Sequence, residues 1–175
     1  MKILKSFLLA FTISLVFSGI GFADGFNSIY STDGSSVWAV GNDGLIFYSN
    51  TGGATWGMRS QGTEDLNSVC ILNQSIWIVG DNGSYFFSLN SGMDWNNANL
   101  GSQDLNEIYF IDENNGWIVG ESGRILQSTD GGANWVPYNS NLNNDLNSIK
   151  MTSTTSGVIC GSDGKVLIYN GTDWN

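Results

Sequence analysis

The 175-residue chain contains no histidine, two cysteines and only six lysine or arginine residues. The absence of histidine removes the side chain most often used for proton transfer and for binding transition metals. Against 16 acidic residues, the shortage of basic ones gives a formal net charge of −10. A chain of this charge repels phosphate backbones and anionic lipid surfaces, so nucleic acid is not an expected partner.

Long hydrophobic runs are also missing, except at the N-terminus. There, two lysines precede an almost unbroken apolar run at 7–17, and small residues at 21 and 23 mark a cleavage site. The pattern predicts a signal peptide over residues 1–23, and a secreted or periplasmic mature chain, 24–175, without a membrane-spanning segment. Loss of the two lysines leaves four basic against 16 acidic residues, a charge of −12. Such a charge serves either solubility or an acidic recognition face.

The rest of the chain repeats with a period near 40 residues. The stretch "STDGGANW" has counterparts in "SNTGGATW", "SLNSGMDW" and a contracted "YNGTDW". Two further landmarks keep the same step: an asparagine in "FNSIY", "LNSVC", "LNEIY" and "LNSIK", and a G-x-x-G turn in "GNDG", "GDNG", "GESG" and "GSDG". Three landmarks in phase over four copies identify a repeat architecture.

Each copy contains about four short β signals bounded by turn residues, and no helical apolar period. In the third copy these signals are "LNEIYFI", "GWIVG", "RILQS" and "NWVPY". We therefore predict an all-β fold of four-stranded units with no helix after residue 23. The units are expected at residues 26–60, 66–99, 105–140 and 146–175.

These residues carry a family resemblance. "STDGGANW" resembles the Asp-box, or bacterial neuraminidase repeat, with the pattern S-x-D-x-G-x-T-W. "GWIVGESGRILQSTDGGANW" is similar to repeats of the photosystem II stability and assembly factor family. The resemblance covers all four copies, residues 26–175, and implies a β-propeller whose blades are the four-stranded antiparallel units. It also implies that the tryptophans pack between blades.

The box itself is expected to stabilise a turn. Asp130 accepts backbone N–H groups of its own turn, and Gly132 takes backbone angles closed to other residues. Thr51, Asn90 and Tyr169 stand in place of the aspartate in the other copies, and weaker caps are expected there. The structural residues of the box include its tryptophans: Trp56, Trp95, Trp135 and Trp174. In the contracted fourth copy, Asn170-Gly171 is expected to form a two-residue type I′ hairpin.

The number of blades in the ring stays open. The first three box tryptophans are followed by a fourth strand, whereas Trp174 is followed by one residue. The four repeats form part of a longer propeller of six to eight blades, a tight four-bladed ring, or half of a ring made by two chains.

Acidic residues recur in the G-x-x-G turns, and these are the candidate binding residues: Asp43, Asp81, Glu121 and Asp163. In a propeller, these turns open on one face together with the loops between blades, where further carboxylates follow: Glu64, Asp65, Asp104 and Asp145. The pattern predicts a face for a basic segment or a cation such as Ca²⁺. The alternative is that Asp and Asn are simply good turn formers. No cofactor and no metal-ligand set are predicted.

The family resemblance implies a client protein bound through an arginine-lined patch. This chain offers Arg59 and Arg124, and Arg124 is retained as a candidate binding residue. Sialidases with Asp-boxes clamp a substrate carboxylate with three arginines, which two arginines cannot do. We therefore predict a secreted, non-catalytic binding or scaffolding propeller with a protein or carbohydrate partner. A sialidase-like glycoside hydrolase and a cell-surface carbohydrate-binding or adhesion module are the alternatives.

Two residue types test the repeat alignment. Three tryptophans precede the Val-Gly strand ends and are expected in the core rather than on a sugar: Trp38, Trp77 and Trp117. Cys70 and Cys160 occupy different positions of non-adjacent repeats, too far apart for a disulfide. Two buried free thiols are predicted.

Overall fold

The structure, a computed structural model, describes residues 25–175, so the predicted signal peptide lies outside it. Fifteen strands form four antiparallel sheets. The first sheet contains β1 (Phe26–Ser31), β2 (Val37–Gly41), β3 (Leu45–Ser49) and β4 (Gly57–Ser60); the second contains β5 (Leu66–Leu72), β6 (Ser75–Gly80), β7 (Ser84–Ser88) and β8 (Asn96–Asn99). The third contains β9 (Leu105–Phe110), β10 (Gly116–Gly120), β11 (Arg124–Ser128) and β12 (Val136–Asn139); the fourth contains β13 (Leu146–Ser153), β14 (Ser156–Gly161) and β15 (Val166–Tyr169).

Each sheet is a meander in which every strand pairs with the next one along the chain. The first three sheets have four strands. In the fourth, a bridge between Tyr169 and Trp174 replaces the outer strand, and Ile168 and Asn175 exchange backbone hydrogen bonds of 2.8 and 3.1 Å. The predicted all-β array of antiparallel propeller blades is confirmed, and we refer to the four sheets as blades 1 to 4.

The prediction that no helix follows residue 23 is right for α-helices among residues 25–175, but it misses three single 3₁₀ turns. These turns are the G-x-x-G segments of blades 2 to 4: Asp81–Gly83, Glu121–Gly123 and Ser162–Gly164. The middle residue of each turn, Asn82, Ser122 or Asp163, has a positive φ of 52 to 55°. In this part of the chain, no helix is long and apolar enough to cross a membrane.

The core lies between blades rather than within them. Trp38, Trp77 and Trp117 are buried on the face that each blade turns toward the next, which confirms their predicted place in the core. Trp77 stacks on Phe110 of blade 3 with ring centroids 3.7 Å apart. Burying a side chain of this size contributes about 4–6 kcal/mol of transfer free energy. The blade junctions therefore hold the array together.

Two polar contacts recur at each junction, where the innermost strands β1, β5, β9 and β13 lie side by side. An asparagine side chain donates to the first backbone carbonyl of the next inner strand: Asn27 to Leu66 at 3.1 Å, Asn67 to Leu105 at 3.2 Å and Asn106 to Leu146 at 2.9 Å. The following side chain accepts a backbone N–H from that strand: Ser28 from Val69, Ser68 from Ile108 and Glu107 from Ile149. The asparagine landmark of the sequence is thus a junction residue.

The four blades do not close into a ring, because the outward faces of blades 1 and 4 remain exposed. Both cysteines are free, as predicted, but only Cys70 is buried. The prediction that Cys160 is buried is wrong. Its position is filled by buried Val40, Val79 and Val119 in the other blades, and each of those valines is covered by a following blade that Cys160 lacks.

Candidate functional site

One end of the propeller carries the G-x-x-G turns and the loops that precede the inner strands, and we call this end the turn face. Aspartates of these loops accept hydrogen bonds from the turn of the preceding blade: Asp65 from Asp43 N at 3.0 Å, Asp104 from Asn82 N at 2.8 Å and Asp145 from Ser122 N at 3.0 Å. Each donor is the non-glycine residue of its turn that has a positive φ. These three aspartates therefore have a structural role in addition to their charge.

The four candidate carboxylates of the turns occupy two different positions. Asp81 and Glu121 are second in their turns and half-buried, and they accept hydrogen bonds from Asn67 Nδ2 and Asp104 N respectively. Asp43 and Asp163 are third in their turns, at φ values of 53 and 55°, and they are exposed. Asp163 accepts a hydrogen bond from Asn144 Nδ2 at 2.8 Å. Because both carboxylates are exposed, they are the most accessible of the four to a partner.

Asp81 shows how closely the acidic groups lie on this face. Burial raises the pKa of its carboxyl, and the Asn67 amide opposes the change by hydrogen bonding to the charged form. The nearby carboxylates of Asp104, Asp65 and Glu64 raise the pKa further. The net pKa is above the usual value because like charges and partial burial both disfavour ionisation.

The two arginines are engaged in contacts between blades. Arg124 donates to the backbone carbonyl of Leu100, in the loop between blades 2 and 3. Arg59 donates to the carbonyl of Gly92 in blade 2, and its guanidinium lies 5.0 Å from the ring centre of Tyr48. Neither contact leaves a guanidinium projecting freely from the turn face.

The opposite end carries the box hairpins, and we call it the box face. Asp130 Oδ1 accepts the Asn134 backbone N–H at 2.9 Å, and its other oxygen accepts the Asn134 side chain. Asn90 Oδ1 and Thr51 Oγ1 accept the equivalent N–H groups, of Asp94 and Thr55, at the same distance of 2.9 Å. All three side chains cap the same turn, although only one is a carboxylate.

The box hairpin also contacts the preceding blade. A Cβ on Gly132 would lie 2.2 Å from Tyr85 Oη of blade 2, and the Trp77 indole donates to the Gly131 carbonyl at 2.9 Å. Trp95 donates to Gly92 within its own hairpin, and Trp135 contacts Tyr85 and Phe110 edge-on. In the outer blades, Trp56 packs on Phe47 and Trp174 stacks on Tyr169.

The contracted turn of blade 4 differs from its prediction. A type I′ turn needs positive φ at both central residues, but only Gly171, at 95°, meets that condition. Asn170 instead accepts the backbone N–H groups of Thr172 and Asp173, each at 2.9 Å, in a four-residue loop. The predicted two-residue hairpin is therefore wrong, because the asparagine side chain caps a longer turn.

Sequence reasoning missed two clefts on the box side of the molecule. One, of about 580 Å³, lies between blades 2 and 3 and is lined by Asn73, Phe87, Leu89, Glu113 and Asp130, among others. The second, of about 510 Å³, lies along the outer strands of blade 3 beside Gln127, Val136 and Tyr138. The first cleft joins residues of blades 2 and 3, whereas the second is lined by blade 3 alone. The repeat register was the only sequence signal for the first.

Metal binding has no built site in the part of the chain that the structure covers. Within residues 25–175, no group of three or more Cys, Asp or Glu side chains is placed to hold an ion. The turn-face carboxylates are instead spread around the end of the propeller and are partly engaged by amides and backbone N–H groups.

Comparison with known proteins agrees with this architecture. The sequence model of the photosystem II assembly factor YCF48 family matches residues 98–170, and no curated protein matches the chain. A YCF48 bound to a D1 peptide superposes with a TM-score of 0.72 at 18% identity, covering 87% of this chain and 52% of that one. YCF48 from Cyanidioschyzon merolae gives 0.70 at 19% identity, with 90% and 57% covered.

An ancestral GH74 enzyme shares the fold more distantly in sequence. Its TM-score is 0.71 at 14% identity, and the match covers 85% of this chain but 23% of the enzyme. At these identities, the structural matches establish the propeller fold alone. The chain spans about half the length of the YCF48 structures. It is a propeller of the bacterial neuraminidase repeat type that resembles the photosystem II assembly factor YCF48.

Proposed function

We propose that this chain is an exported, non-catalytic scaffold that binds a basic polypeptide segment at its turn face. The observation that carries the proposal is the row of carboxylates along that face, with Asp43 and Asp163 exposed. A peptide partner is supported by the similar YCF48, which was solved with a D1 peptide bound. Export is supported by the signal-peptide pattern of residues 1–23.

Electrostatics favour a cationic segment over an acidic one. Burial is the main cause of the raised pKa of Asp81, and the nearby carboxylates of Asp104, Asp65 and Glu64 raise it further. A bound lysine or arginine would relieve the repulsion among these carboxylates. The family resemblance implies a client site lined by arginines, but Arg59 and Arg124 bond to backbone carbonyls at blade junctions. We therefore expect the sign of the recognised charge to be opposite to the one that an arginine patch would select.

The non-catalytic part of the proposal follows from the placement of the same groups. A sialidase-like clamp needs three arginines around one carboxylate, whereas Arg59 and Arg124 bond to backbone carbonyls at different junctions. Hydrolysis by two carboxylates needs one of them protonated in an apolar pocket. Asp81 has a raised pKa but lies on the open turn face among other charged groups.

Binding of a fluorescent Lys/Ser-alternating dodecapeptide, followed by anisotropy, tests the proposal. The test variant combines Asp43→Asn, Asp163→Asn and Glu121→Gln. Asparagine is tolerated at the positive-φ position of Asp43 and Asp163, because Asn82 occupies the same position in blade 2. Asp81 is left unchanged, since it holds Asn67. We expect the variant to bind about tenfold more weakly at ~10 mM salt, with a smaller difference at ~150 mM salt.

The matched control removes three carboxylates from the box face by Asp94→Asn, Glu113→Gln and Asp173→Asn. It changes the net charge equally, so it should weaken binding far less than the turn-face variant. Equal losses in the two variants would mean that only net charge matters and would refute a site on the turn face. Cleavage of a fluorogenic sialoside by the purified chain would refute the non-catalytic assignment.

A further inference from the structure

The two outward faces of the array are the two halves of a blade junction. On blade 1, Ile29 is 66% exposed, whereas its equivalents Val69, Ile108 and Ile149 are 3%, 3% and 2% exposed. Those three are covered by the blade that precedes them. Phe26 and Met58 extend the exposed apolar surface of the same blade. Blade 1 thus presents the surface that would receive a preceding blade, and no residue between 25 and 175 covers it.

Blade 4 presents the opposite half. Val166 is 60% exposed, whereas its equivalents Ile46, Tyr85 and Ile125 are 0 to 1% exposed beneath the next blade. Val158 pairs with Ile168, and Cys160 pairs with Val166, so these four side chains share one side of the sheet. All four are exposed. This side corresponds to the one that carries the buried tryptophans in blades 1 to 3.

The repeated junction contacts have unused members at these same two ends. Asn147 and Ser148 of blade 4 are exposed and stand where Asn27 and Ser28, or Asn67 and Ser68, bridge to the next inner strand. Blade 1 carries the corresponding partners, the carbonyl of Phe26 and the N–H of Ile29. Within residues 25–175, the Asn147 and Ser148 side chains form no hydrogen bond with these two backbone groups of blade 1.

We propose that two copies of this chain close one ring, with blade 4 of each copy packed on blade 1 of the other. The complementarity of the two faces selects another array of the same repeat as the occupant, and the geometry keeps both faces of one copy apart. One copy matches 52 and 57% of the YCF48 chains, so two copies together account for their whole length. The inference concerns blade ends and is independent of the proposed peptide site.

The closing junction should be weaker than the internal ones. Val158 stands where the other blades place Trp38, Trp77 and Trp117, so less apolar surface is buried there. A two-fold arrangement nevertheless forms two such junctions at once, because each copy contributes one face of each kind. We therefore expect a dimer that dissociates on dilution.

Sedimentation velocity on the purified mature chain, residues 24–175, between about 1 and 200 µM tests this directly. A reversible monomer–dimer equilibrium is expected. Cys160 provides a second readout, because its thiol should react with a disulfide reagent at low concentration and become at least about tenfold slower as the dimer forms. Cys70, buried at an internal junction, should stay slow throughout.

Variants distinguish this arrangement from other dimers. Ile29→Asp and Ile168→Lys should each abolish the dimer. In a homodimer of either variant, the substitution places a charge in both junctions, because every junction contains one blade 1 and one blade 4. Mixing the two variants should restore it, since one junction is then unchanged and the other pairs opposite charges. Leu89→Asp, at an equally exposed position on the box face, should have no effect.

Three results would overturn the proposal. A chain that remains monomeric at 200 µM, with Cys160 still reactive, would show that a second copy does not cover the two faces. Assemblies larger than a dimer would mean that the contact does not close. A dimer that survives Ile29→Asp would be using another surface.

Discussion

At the scale of single residues, a buried serine organises each complete box hairpin. Each serine hydroxyl accepts the N–H of the residue four positions later at 2.8 to 2.9 Å, and the N–H of the residue two positions later at 3.1 to 3.3 Å. The three serines are Ser49, Ser88 and Ser128. All three are buried. The serine therefore holds the start of the turn, and the Asp, Asn or Thr that follows holds its end.

Removal of this hydroxyl should be costly. Ser128→Ala leaves two backbone N–H groups, those of Asp130 and Gly132, without their acceptor. A buried group that loses its partner costs about 1–3 kcal/mol. Urea unfolding should show this loss, and Ser140→Ala, at a buried serine outside the boxes, provides a comparison. A loss below that of the comparison would show that other groups satisfy the turn.

Acid sensitivity is expected at Asp130. The side chain of Asn134, then its backbone N–H and Ser128, hold the pKa of the Asp130 carboxyl below its usual value. Because the folded pKa is the lower one, this stabilisation is complete above about pH 4 and is lost as the pH falls through the folded pKa. Asp130→Asn should keep the cap and reduce the decrease in the thermal unfolding temperature as the pH falls below about 4. If the variant loses stability with falling pH as the original chain does, a group other than Asp130 causes the loss.

At the scale of elements, the box hairpin and the tryptophan strand of the preceding blade form one packing unit. Gly132 has φ +87° and lies against Tyr85 and Trp77, whereas Gly53 has φ +88° and meets only its own Trp56, no nearer than 3.5 Å. The two glycines share a backbone conformation but differ in whether a blade stands before them. A comparison of the two positions therefore isolates the free energy of packing against the preceding blade.

A pair of alanine variants measures it. Gly53→Ala should cost about 1–2 kcal/mol for the positive φ alone. Gly132→Ala adds a clash with Tyr85 Oη at 2.2 Å, and overpacking of this kind costs a further ~1–3 kcal/mol. Chemical denaturation of both variants at low protein concentration should show the larger loss for Gly132→Ala. Equal losses would mean that the neighbouring blade yields without cost.

Sequence reasoning was strongest where the repeat register decided the outcome. The period placed Trp38, Trp77 and Trp117 in the core correctly, because equivalent positions in stacked units meet equivalent neighbours. It was wrong for Cys160, since an alignment assigns a position but not the blade beside it. It was also wrong for Asn170, where a side-chain cap replaced a backbone turn. The larger cleft of the box face arises between turns of two copies, and a single repeat does not contain it.

At the scale of the whole molecule, stability depends on the number of neighbours each blade has. Blades 2 and 3 are covered on both faces, whereas blades 1 and 4 are each covered on one. Arrays of this kind behave as chains of nearest-neighbour interactions. Identical positions in different blades should therefore differ in protection.

Hydrogen exchange should reveal this gradient. In the monomer, amides of β6 and β10 should exchange more slowly than those of β14 by at least about tenfold, equivalent to about 1.4 kcal/mol of opening free energy. The measurement is best made by mass spectrometry at about 1 µM. Uniform exchange across the four blades would show that the array opens as a single cooperative unit.

The placement of Trp38, Trp77 and Trp117, one at each internal junction, also gives the protein an optical label at every seam. The three indoles differ in their surroundings: Trp38 stacks on Tyr48 and Trp77 on Phe110, while the Trp117 ring nitrogen has no hydrogen-bond partner among residues 25–175. Their emission should shift to longer wavelength as water enters each seam. Single Trp→Phe replacements would then assign a spectral change to one seam, so that the order in which the blades separate can be read by fluorescence without an added dye.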